Sequence, residues 1–411
     1  MAYRKDKQFY RFALYGFLKN LRFFEPFLIL FFRERGFSFL EIGALFSIRE
    51  IATNILEIPT GVIADIYGRR KSMVFSMLSY ISSFLMFYFF PRFFIYAIAM
   101  VLFAMGEAFR TGTHKAMILE YLRINNMLDK KVEYYGGTRS WSQLGSAFNS
   151  LIAAALVFYS GSYKVVFAAA IVPYIINLIN LATYPKYLEG EGAGKKRKRE
   201  TLRDFVSMFR NLTTVKAILN TSIFNAFFKS TKEYLQPILE SFALSLPILL
   251  TLSGQRRTAI VVGLVYFVIY LLTSYASKNS ARFSRKFSDL TVALNVTYLA
   301  GALFIIFAGL SRLYNLEILS IIFFLSLYIL HNLRRPIGVS YVSETISHKA
   351  MASGLSVESQ LKTLISAGLA PVIGFFADRF GVGGSLSLVG LMMLLLLFAV
   401  RVSKKVVHVA E

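Results

Sequence analysis

Ionisable and amide side chains recur at helical spacing inside otherwise apolar stretches of this sequence. The longest such stripe places its members on one face of a helix: Lys229, Lys232, Glu233, Gln236 and Glu240. An ionisable residue at the centre of a membrane-spanning helix costs about 3 kcal/mol on insertion scales. We therefore expect the stripe to face a water-filled cavity or another helix, where its cations could hold an anion.

Three other stretches, near residues 19–25, 107–114 and 331–335, carry shorter stripes of the same kind. His114 and His331 follow this spacing, but we expect them to pack or pair rather than to carry protons. Together the four stripes give a predicted solute-binding set: Lys19, Arg22, Glu25, Glu107, Arg110, Lys229, Lys232, Glu233, Gln236, Arg334 and Arg335.

Three carboxylates in this set could exchange a proton during the working cycle. A carboxylate beside a cation changes its proton affinity when its surroundings change. Glu25, Glu107 and Glu233 are therefore candidates for proton coupling. The competing interpretation is structural, because Glu107 and Arg110 could form a pair within one helix that only neutralises itself.

The charge balance on these stripes indicates the sign of the solute. Seven cations stand against four carboxylates, which leaves an excess of three positive charges. Like charges repel strongly where water is scarce, so we predict an anionic or zwitterionic organic solute. Arg110 and Arg334 occupy matching places in the two parts of the chain, and their forked guanidinium groups could grip one anionic group from both sides.

Such stripes need apolar helices to carry them. The chain has 411 residues, of which 56% are hydrophobic and 16% aromatic. A helix needs roughly twenty apolar residues to cross a bilayer. We therefore predict an all-α integral membrane protein with twelve transmembrane helices, near residues 10–32, 39–65, 72–91, 93–114, 138–159, 163–184, 217–250, 257–276, 289–310, 316–337, 352–376 and 383–402.

The distribution of Lys and Arg predicts the orientation of these helices. Basic residues collect on the cytoplasmic side of membrane proteins, and placing the N-terminus inside gives a roughly threefold excess there. Both termini are therefore expected in the cytoplasm, in a cell inner membrane. The net charge of +23 and the basic run Lys195–Arg199 then indicate a cytoplasmic loop rather than a nucleic-acid site.

A polar segment divides the chain into two parts. We predict a six-helix half over 1–185, a cytoplasmic loop over 186–215 that includes a short amphipathic helix at 201–210, and a second six-helix half over 216–411. Matching residues support a duplicated unit. The fifth predicted span contains the sequence SQL at 142–144, and the eleventh repeats it at 359–361.

Several classes of chemistry are disfavoured by the sequence. Cysteine is absent and the four histidines are scattered, so we expect no metal, no cofactor and no thiol chemistry. No phosphate-binding GxxxxGK[ST] loop is present, which disfavours direct use of ATP. An integral-membrane enzyme acting on lipids would need a catalytic cluster, and none is evident. We expect a monomer whose partners are a solute, the bilayer, and H⁺ or Na⁺.

The loop after the second predicted span reads GVIADIYGRRK from Gly61 to Lys71. It resembles the G-x-L-A-D-x-x-G-R-K signature of the major facilitator superfamily. A weaker echo, GFFADRFG, begins at Gly374. The resemblance implies two six-helix halves, a central cavity lined by spans one, four, seven and ten, and a cytoplasmic gate formed by Gly61, Asp65, Gly68, Arg69 and Arg70.

Together these patterns favour a secondary active transporter that works by alternating access, with proton coupling, sodium coupling and uniport all open. An efflux transporter of amphipathic compounds and a lipid flippase are alternatives. The fifth span lacks the GPxxGG pattern of proton-driven drug antiporters and reads GSAFNS from Gly145, which disfavours drug export. A membrane receptor or scaffold that does not transport is the alternative of another class.

Overall fold

The computed structural model describes residues 5–189, 211–248, 250–346 and 351–403. The basic run Lys195–Arg199 and the predicted amphipathic helix at 201–210 lie outside these ranges. So do the side chains of Ile58, Asp65, Val132, Leu355 and residues 351–353. The described residues form α-helices joined by short turns and 3₁₀ segments, and they contain no strand.

Contacts between Cα atoms group the chain into two compact units. The first contains residues 1–37, 44–194 and 243–270, and the second contains residues 38–43, 195–242 and 271–411. Most helices belong to one unit, whereas three are divided between the two units: Phe39–Tyr67, Leu235–Ser245 and Gly254–Ser284. The predicted boundaries at 185 and 216 remain a prediction.

The first two helices of the N-terminal part are separated by a short non-α-helical segment. Asn20 ends α1, and its side-chain Nδ2 donates to the Gly16 carbonyl at 2.8 Å. The chain resumes in a 3₁₀ turn whose second residue is Pro26, which fixes φ and lacks an N–H. The elements are α1 Lys7–Lys19, α2 Leu28–Glu34, α3 Phe39–Tyr67, α4 Arg69–Phe89, α5 Phe93–Arg110, α6 Thr113–Ile124, α7 Lys131–Ser160 and α8 Val165–Ala182.

The C-terminal part repeats the break and ends in one long helical run. A 3₁₀ turn at Lys232–Tyr234 separates α9 from α10. The last run bends at Gly381, whose φ of 71° an L side chain rarely adopts, and this bend falls between the predicted spans 352–376 and 383–402. The elements are α9 Leu212–Thr231, α10 Leu235–Ser245, α11 Gly254–Ser284, α12 Leu290–Leu313, α13 Glu317–Thr345 and α14 Met351–Val400.

Eight helical segments of the described residues are long and apolar enough to cross a membrane. Each has at most two charged residues in its apolar window. Helix α1 is only 13 residues long, charged residues interrupt the windows of α3, and Asn, Ser and Thr residues lower the hydropathy of α9. Twelve crossings in two equal halves therefore remain a prediction. The eight are Arg69–Phe89, Phe93–Ile124, Glu133–Ser160, Val165–Ala182, Gly254–Ser284, Leu290–Leu313, Glu317–Thr345 and Ser356–Val400.

Aromatic rings fill the core of the first unit. Phe24 stacks on Phe167 with ring centroids 5.4 Å apart, and its ring meets the edge of Phe103 at 5.8 Å. Tyr80 meets Phe103 at 5.1 Å. Such pairs contribute about 0.5–1.5 kcal/mol each beyond the burial of their area. This core holds α4, α5 and α8 together and gives a rigid wall beside the polar residues of α1 and α5.

Candidate functional site

A cavity of about 380 Å³ opens inside the first unit, between α1, the α5–α6 junction and α7. Its volume lies in the range of small-molecule sites. Helices α1 and α7 each contribute residues three or four positions apart, which is one face of each helix. The lining residues are Phe12, Tyr15, Gly16, Lys19, Asn20, Arg110, Gly112, His114, Lys115, Ile118, Tyr135, Thr138, Arg139, Ser142, Gln143 and Ser146.

Helices α1 and α7 lie side by side and run in the same direction. Phe9 of α1 meets Tyr134 of α7 at 5.2 Å, and two turns later Phe17 meets Phe148 at 6.5 Å. Their backbones almost touch, because a Cβ added to Gly145 would lie 2.4 Å from the Phe17 carbonyl oxygen. This close approach places the polar faces of both helices on the same cavity.

The third wall comes from the turn between α5 and α6. Gly112 makes this turn with a φ of 80°, a conformation that favours glycine. The turn places Arg110 at the end of one helix and His114 near the start of the next. His114 stacks on Tyr15 with ring centroids 3.8 Å apart. Its Nε2 is inaccessible to solvent and has no hydrogen-bond partner among the described residues.

Glu107 ties two of the predicted binding residues together. Its two carboxylate oxygens accept separately from Arg22 and from Arg110. Arg22 also pairs with Glu25 at 3.2 Å, and Arg110 Nε approaches the Tyr80 hydroxyl at 3.4 Å. The pair within one helix predicted for Glu107 and Arg110 is thus present, but the carboxylate also reaches a second helix segment. Glu107 offsets much of the positive charge of both arginines.

Three other cations at the cavity lack a carboxylate partner among the described residues. Arg110 and Arg22 are the strongest electrostatic neighbours of Lys19, and Glu107 and Glu25 act on it more weakly. Lys115 Nζ lies 5.8 Å from the centre of the Tyr135 ring. Arg139 is exposed at the cavity. None of the described residues that line the cavity is a carboxylate, which makes it strongly attractive to an anion.

The predicted site residues of α9 and α10 lie in the second unit and form their own network. Lys232 Nζ pairs with Glu233 Oε1 at 2.9 Å, and Gln236 donates to the other oxygen of Glu233 at 2.7 Å. Gln236 is fully buried. Three residues of the polar stripe predicted from the sequence therefore bind one another: Lys232, Glu233 and Gln236.

Arg334 lies in the interior of the second unit. It is 2% exposed, donates to Asn220 Oδ1 at 2.5 Å and stacks on the Phe224 ring at 4.3 Å. His331 stacks on Phe228 with ring centroids 3.8 Å apart, which agrees with the packing role expected from the sequence. The joint grip of Arg110 and Arg334 on one solute remains a prediction.

The signature loop joins α3 to α4. Gly68 precedes α4, and Arg70 Nε pairs with Glu189 at 3.3 Å while its NH1 donates to the Tyr184 carbonyl at 3.2 Å. The Asp65 side chain lies outside the described residues, so its gating role remains a prediction. Arg70 thus binds the signature loop to the segment that follows α8.

The echo of this loop makes a clear contact within the second unit. The two oxygens of Asp378 accept from the backbone N–H groups of Phe39 at 2.9 Å and Leu40 at 2.8 Å. These are the first two residues of α3, so the carboxylate satisfies donors at a helix start. A Cβ on Gly374 would lie 2.2 Å from the Phe39 carbonyl oxygen, which shows how closely the backbones meet.

Sequence reasoning missed several lining residues of the cavity. It assigned Lys19 and Arg110 to a binding site, but it treated His114 as a packing residue and did not assign Arg139 to the site. It did not assign a binding role to the polar face of α7, formed by Thr138, Ser142, Gln143 and Ser146. The signal was present as the spacing of these residues, but short neutral side chains do not stand out as charges do.

The comparisons with known proteins agree on one family. A family model described as Major Facilitator Superfamily matches residues 13–359. A curated relative, an uncharacterized MFS-type transporter YxaM of Bacillus subtilis (strain 168), is 34% identical over 106 residues, which cover 26% of each chain. The match therefore spans about a quarter of that relative.

Solved structures share the fold at low sequence identity. The crystal structure of the nucleoside transporter NupG has a TM-score of 0.76 at 14% identity and covers 96% of this chain and 98% of its own. A D-xylose-proton symporter has a TM-score of 0.69 at 15% identity and covers 96% of both chains. With its family model spanning most of its length and its helical fold shared with these transporters, the chain belongs to the Major Facilitator Superfamily and is a multi-pass membrane transporter.

Proposed function

We propose that this protein is a secondary active transporter that moves a small anionic or zwitterionic organic solute across the cell inner membrane by alternating access. The cavity of the first unit carries this proposal. Lys19, Lys115 and Arg139 line it without a carboxylate partner among the described residues, and no acidic residue of the described chain lines it. A cation would be repelled from such a surface, whereas an anion would gain charge-assisted hydrogen bonds.

Arg110 and Lys19 are the proposed contacts of the anionic group. Both line the cavity, and Arg110 already holds a carboxylate in the form of Glu107. A solute carboxylate or phosphate offers the same acceptor geometry and would compete for this arginine. Substrate entry would then loosen the bond between Arg110 and Glu107.

This competition supplies a route for proton coupling. A carboxylate that loses a cationic partner in a partly buried site binds a proton more readily. Glu107 is the proposed proton carrier because its two oxygens are held by the two arginines. Glu25 and Glu233 are further candidates, because Glu25 pairs with Arg22 at 3.2 Å and Glu233 pairs with Lys232 at 2.9 Å. The xylose-proton symporter among the structural neighbours supports a coupled mechanism in general, without fixing the ion here.

Access from the two sides is proposed to alternate between two six-helix halves with both termini in the cytoplasm. The two broken helices, at residues 20–27 and 232–234, support this plan because they recur in the two parts of the chain. Asp65 is the proposed latch of the cytoplasmic gate. The neighbours that transport nucleosides, peptides and xylose support secondary transport without naming the solute.

Counterflow in proteoliposomes tests the proposal. Purified protein is reconstituted in separate vesicles that contain an unlabelled organic anion, cation or neutral sugar, and uptake of the same labelled solute is followed in each. We expect anion counterflow that Lys19→Gln reduces at least tenfold, since a charge-assisted contact is lost. Lys131→Gln is the matched control, because Lys131 is exposed and does not line the cavity. Uptake of a cation alone, unchanged in Lys19→Gln, would contradict the proposal.

A further inference from the structure

The cations of the cavity fall into two groups along its length. Gly16 of α1 lies against Ser142 of α7, where an added Cβ would meet the serine Oγ at 2.5 Å. Lys19 lies one turn beyond this crossing on α1, and Arg139 lies one turn before it on α7. Because the two helices run in the same direction, these residues are separated by about 9 Å along the helix axes.

Each of the two positions has a second cation. Arg110 is an electrostatic neighbour of Lys19 and lines the same cavity. Lys115 lies at the ring of Tyr135, which is one turn before Arg139 on the same face of α7. The cavity therefore has one end with Lys19 and Arg110, and another end with Lys115 and Arg139.

The wall between the two ends is aromatic and carries a buried polar atom. Tyr15 and His114 are stacked at 3.8 Å beside the Gly16 crossing. The imidazole Nε2 is inaccessible and has no hydrogen-bond partner among the described residues. A middle segment of a solute that is largely uncharged would pack on these rings.

We propose that the transported solute carries two oxyanionic groups joined by an uncharged spacer. Lys19 and Arg110 bind one group, Lys115 and Arg139 bind the other, and the spacer lies on Tyr15 and His114. This inference rests on the proposed function, because it assumes that the cavity is the transport site. It goes further in stating the number and spacing of the acidic groups.

The unpartnered charges explain why one acidic group would not suffice. Glu107 offsets part of the charge of Arg110, but Lys115 and Arg139 have no carboxylate partner among the described residues. A monoanion held at one end would leave the positive charge of the other end uncompensated. A second anionic group at the right distance satisfies both ends within one molecule.

Calorimetry on the purified full-length protein in detergent tests this inference with matched acids. The probes are the dicarboxylates from succinate to adipate, each paired with the monocarboxylate of equal carbon number. One dicarboxylate should bind at least tenfold more tightly than its monocarboxylate, with an optimum at one chain length. The corresponding ω-phosphonocarboxylates show whether the second group is a carboxylate or a phosphate-like group.

Variants assign the two ends. Lys115→Gln with Arg139→Gln should reduce dicarboxylate affinity about tenfold to a hundredfold and change monocarboxylate affinity less than about threefold. Lys19→Gln should weaken both ligands, and Lys131→Gln should weaken neither. All four changes replace partly or fully exposed side chains, so thermal unfolding of the variants should match that of the parent.

The outcomes separate this inference from the proposed function. Equal affinity for monocarboxylates and dicarboxylates, both weakened by Lys19→Gln, would overturn the two-group solute and leave an anion transporter standing. Failure of every dicarboxylate and phosphonocarboxylate to bind at millimolar concentration would also overturn it. Counterflow of cations or neutral solutes that does not change in Lys19→Gln would remove the proposed function as well.

Discussion

The carboxylate of Asp378 accepts the backbone N–H of Phe39 at 2.9 Å, and so a residue of the last helical run caps the start of α3. Asp378→Ala removes both this hydrogen bond and the one from Leu40. Loss of a helix cap costs about 0.5–2 kcal/mol, so we expect a lower unfolding temperature in detergent. Asp378→Asn should lose less, because its amide oxygen can still accept. Equal stability of the alanine variant and the parent would contradict this role.

The two bonds of Glu107 predict a strongly coupled set of variants. Glu107→Gln leaves Arg22 and Arg110 without their shared carboxylate. Breaking a fully buried pair costs about 3–5 kcal/mol, and these side chains are 15–20% exposed, so we expect a loss toward the lower end of that range. Adding Arg110→Gln should restore part of the lost stability, since one unpaired cation is removed. A double-mutant cycle from chemical unfolding in detergent measures this coupling.

A surface pair provides the control for this cycle. Glu120 and Arg123 have the same i,i+3 spacing as Glu107 and Arg110. Glu120 is 14% exposed, but Arg123 is 58% exposed against 19% for Arg110, so water screens this pair from the arginine side. The coupling between Glu120 and Arg123 should be below about 1 kcal/mol. A Glu107–Arg110 coupling no larger than that of the surface pair would show that the buried network adds little.

Close contact between α1 and α7 predicts a packing defect. Gly145→Ala places a methyl group 2.4 Å from the Phe17 carbonyl oxygen, so one of the two helices must shift. Such overpacking costs about 1–3 kcal/mol and should distort the cavity. Gly136→Ala on the same helix meets nothing within 4 Å and is the control. Similar thermal unfolding of both variants would show that the helix contact relaxes easily.

The absence of cysteine from the sequence allows a direct test of topology. Cysteine at the exposed Glu34 should react with an impermeant maleimide in intact cells, because the loop after α2 is expected outside. Cysteine at the exposed Lys278 should react only after lysis. The reverse pattern would invert the proposed orientation of the whole chain.

The membrane class and much of the helix pattern could be predicted from the sequence, because apolar length and charge placement report directly on the bilayer. The bend at Gly381 lies between the predicted spans 352–376 and 383–402, because the polar residues between these two apolar stretches were interpreted as a loop. The discontinuity after Lys19 was not predicted, because Arg22 and Glu25 were interpreted as part of a polar helix face and Pro26 was not interpreted as a break. Only the packing of α1 against its neighbours shows where its hydrogen bonding stops.

The candidate site could be predicted only in part. Lys19 and Arg110 stand out as charges in apolar surroundings, and both line the cavity. Arg334 stood out equally and lies instead in a packed interior against Asn220 and Phe224. Periodicity identifies the face that a residue occupies, but it does not distinguish a cavity from an internal polar contact. That distinction depends on what the facing helix offers, which is a property of tertiary packing.

The enclosure of the whole cavity within one compact unit has a thermodynamic consequence. A ligand that makes the same contacts in two conformations binds both equally and leaves their populations unchanged. A small anion such as acetate, held by Lys19 and Arg110 alone, should therefore occupy the site without promoting the conformational exchange that carries a solute across. Such ions should act as competitive inhibitors that are not themselves transported. A transported solute should need, besides the contacts of its two acidic groups with this cavity, a further contact that differs between the two conformations.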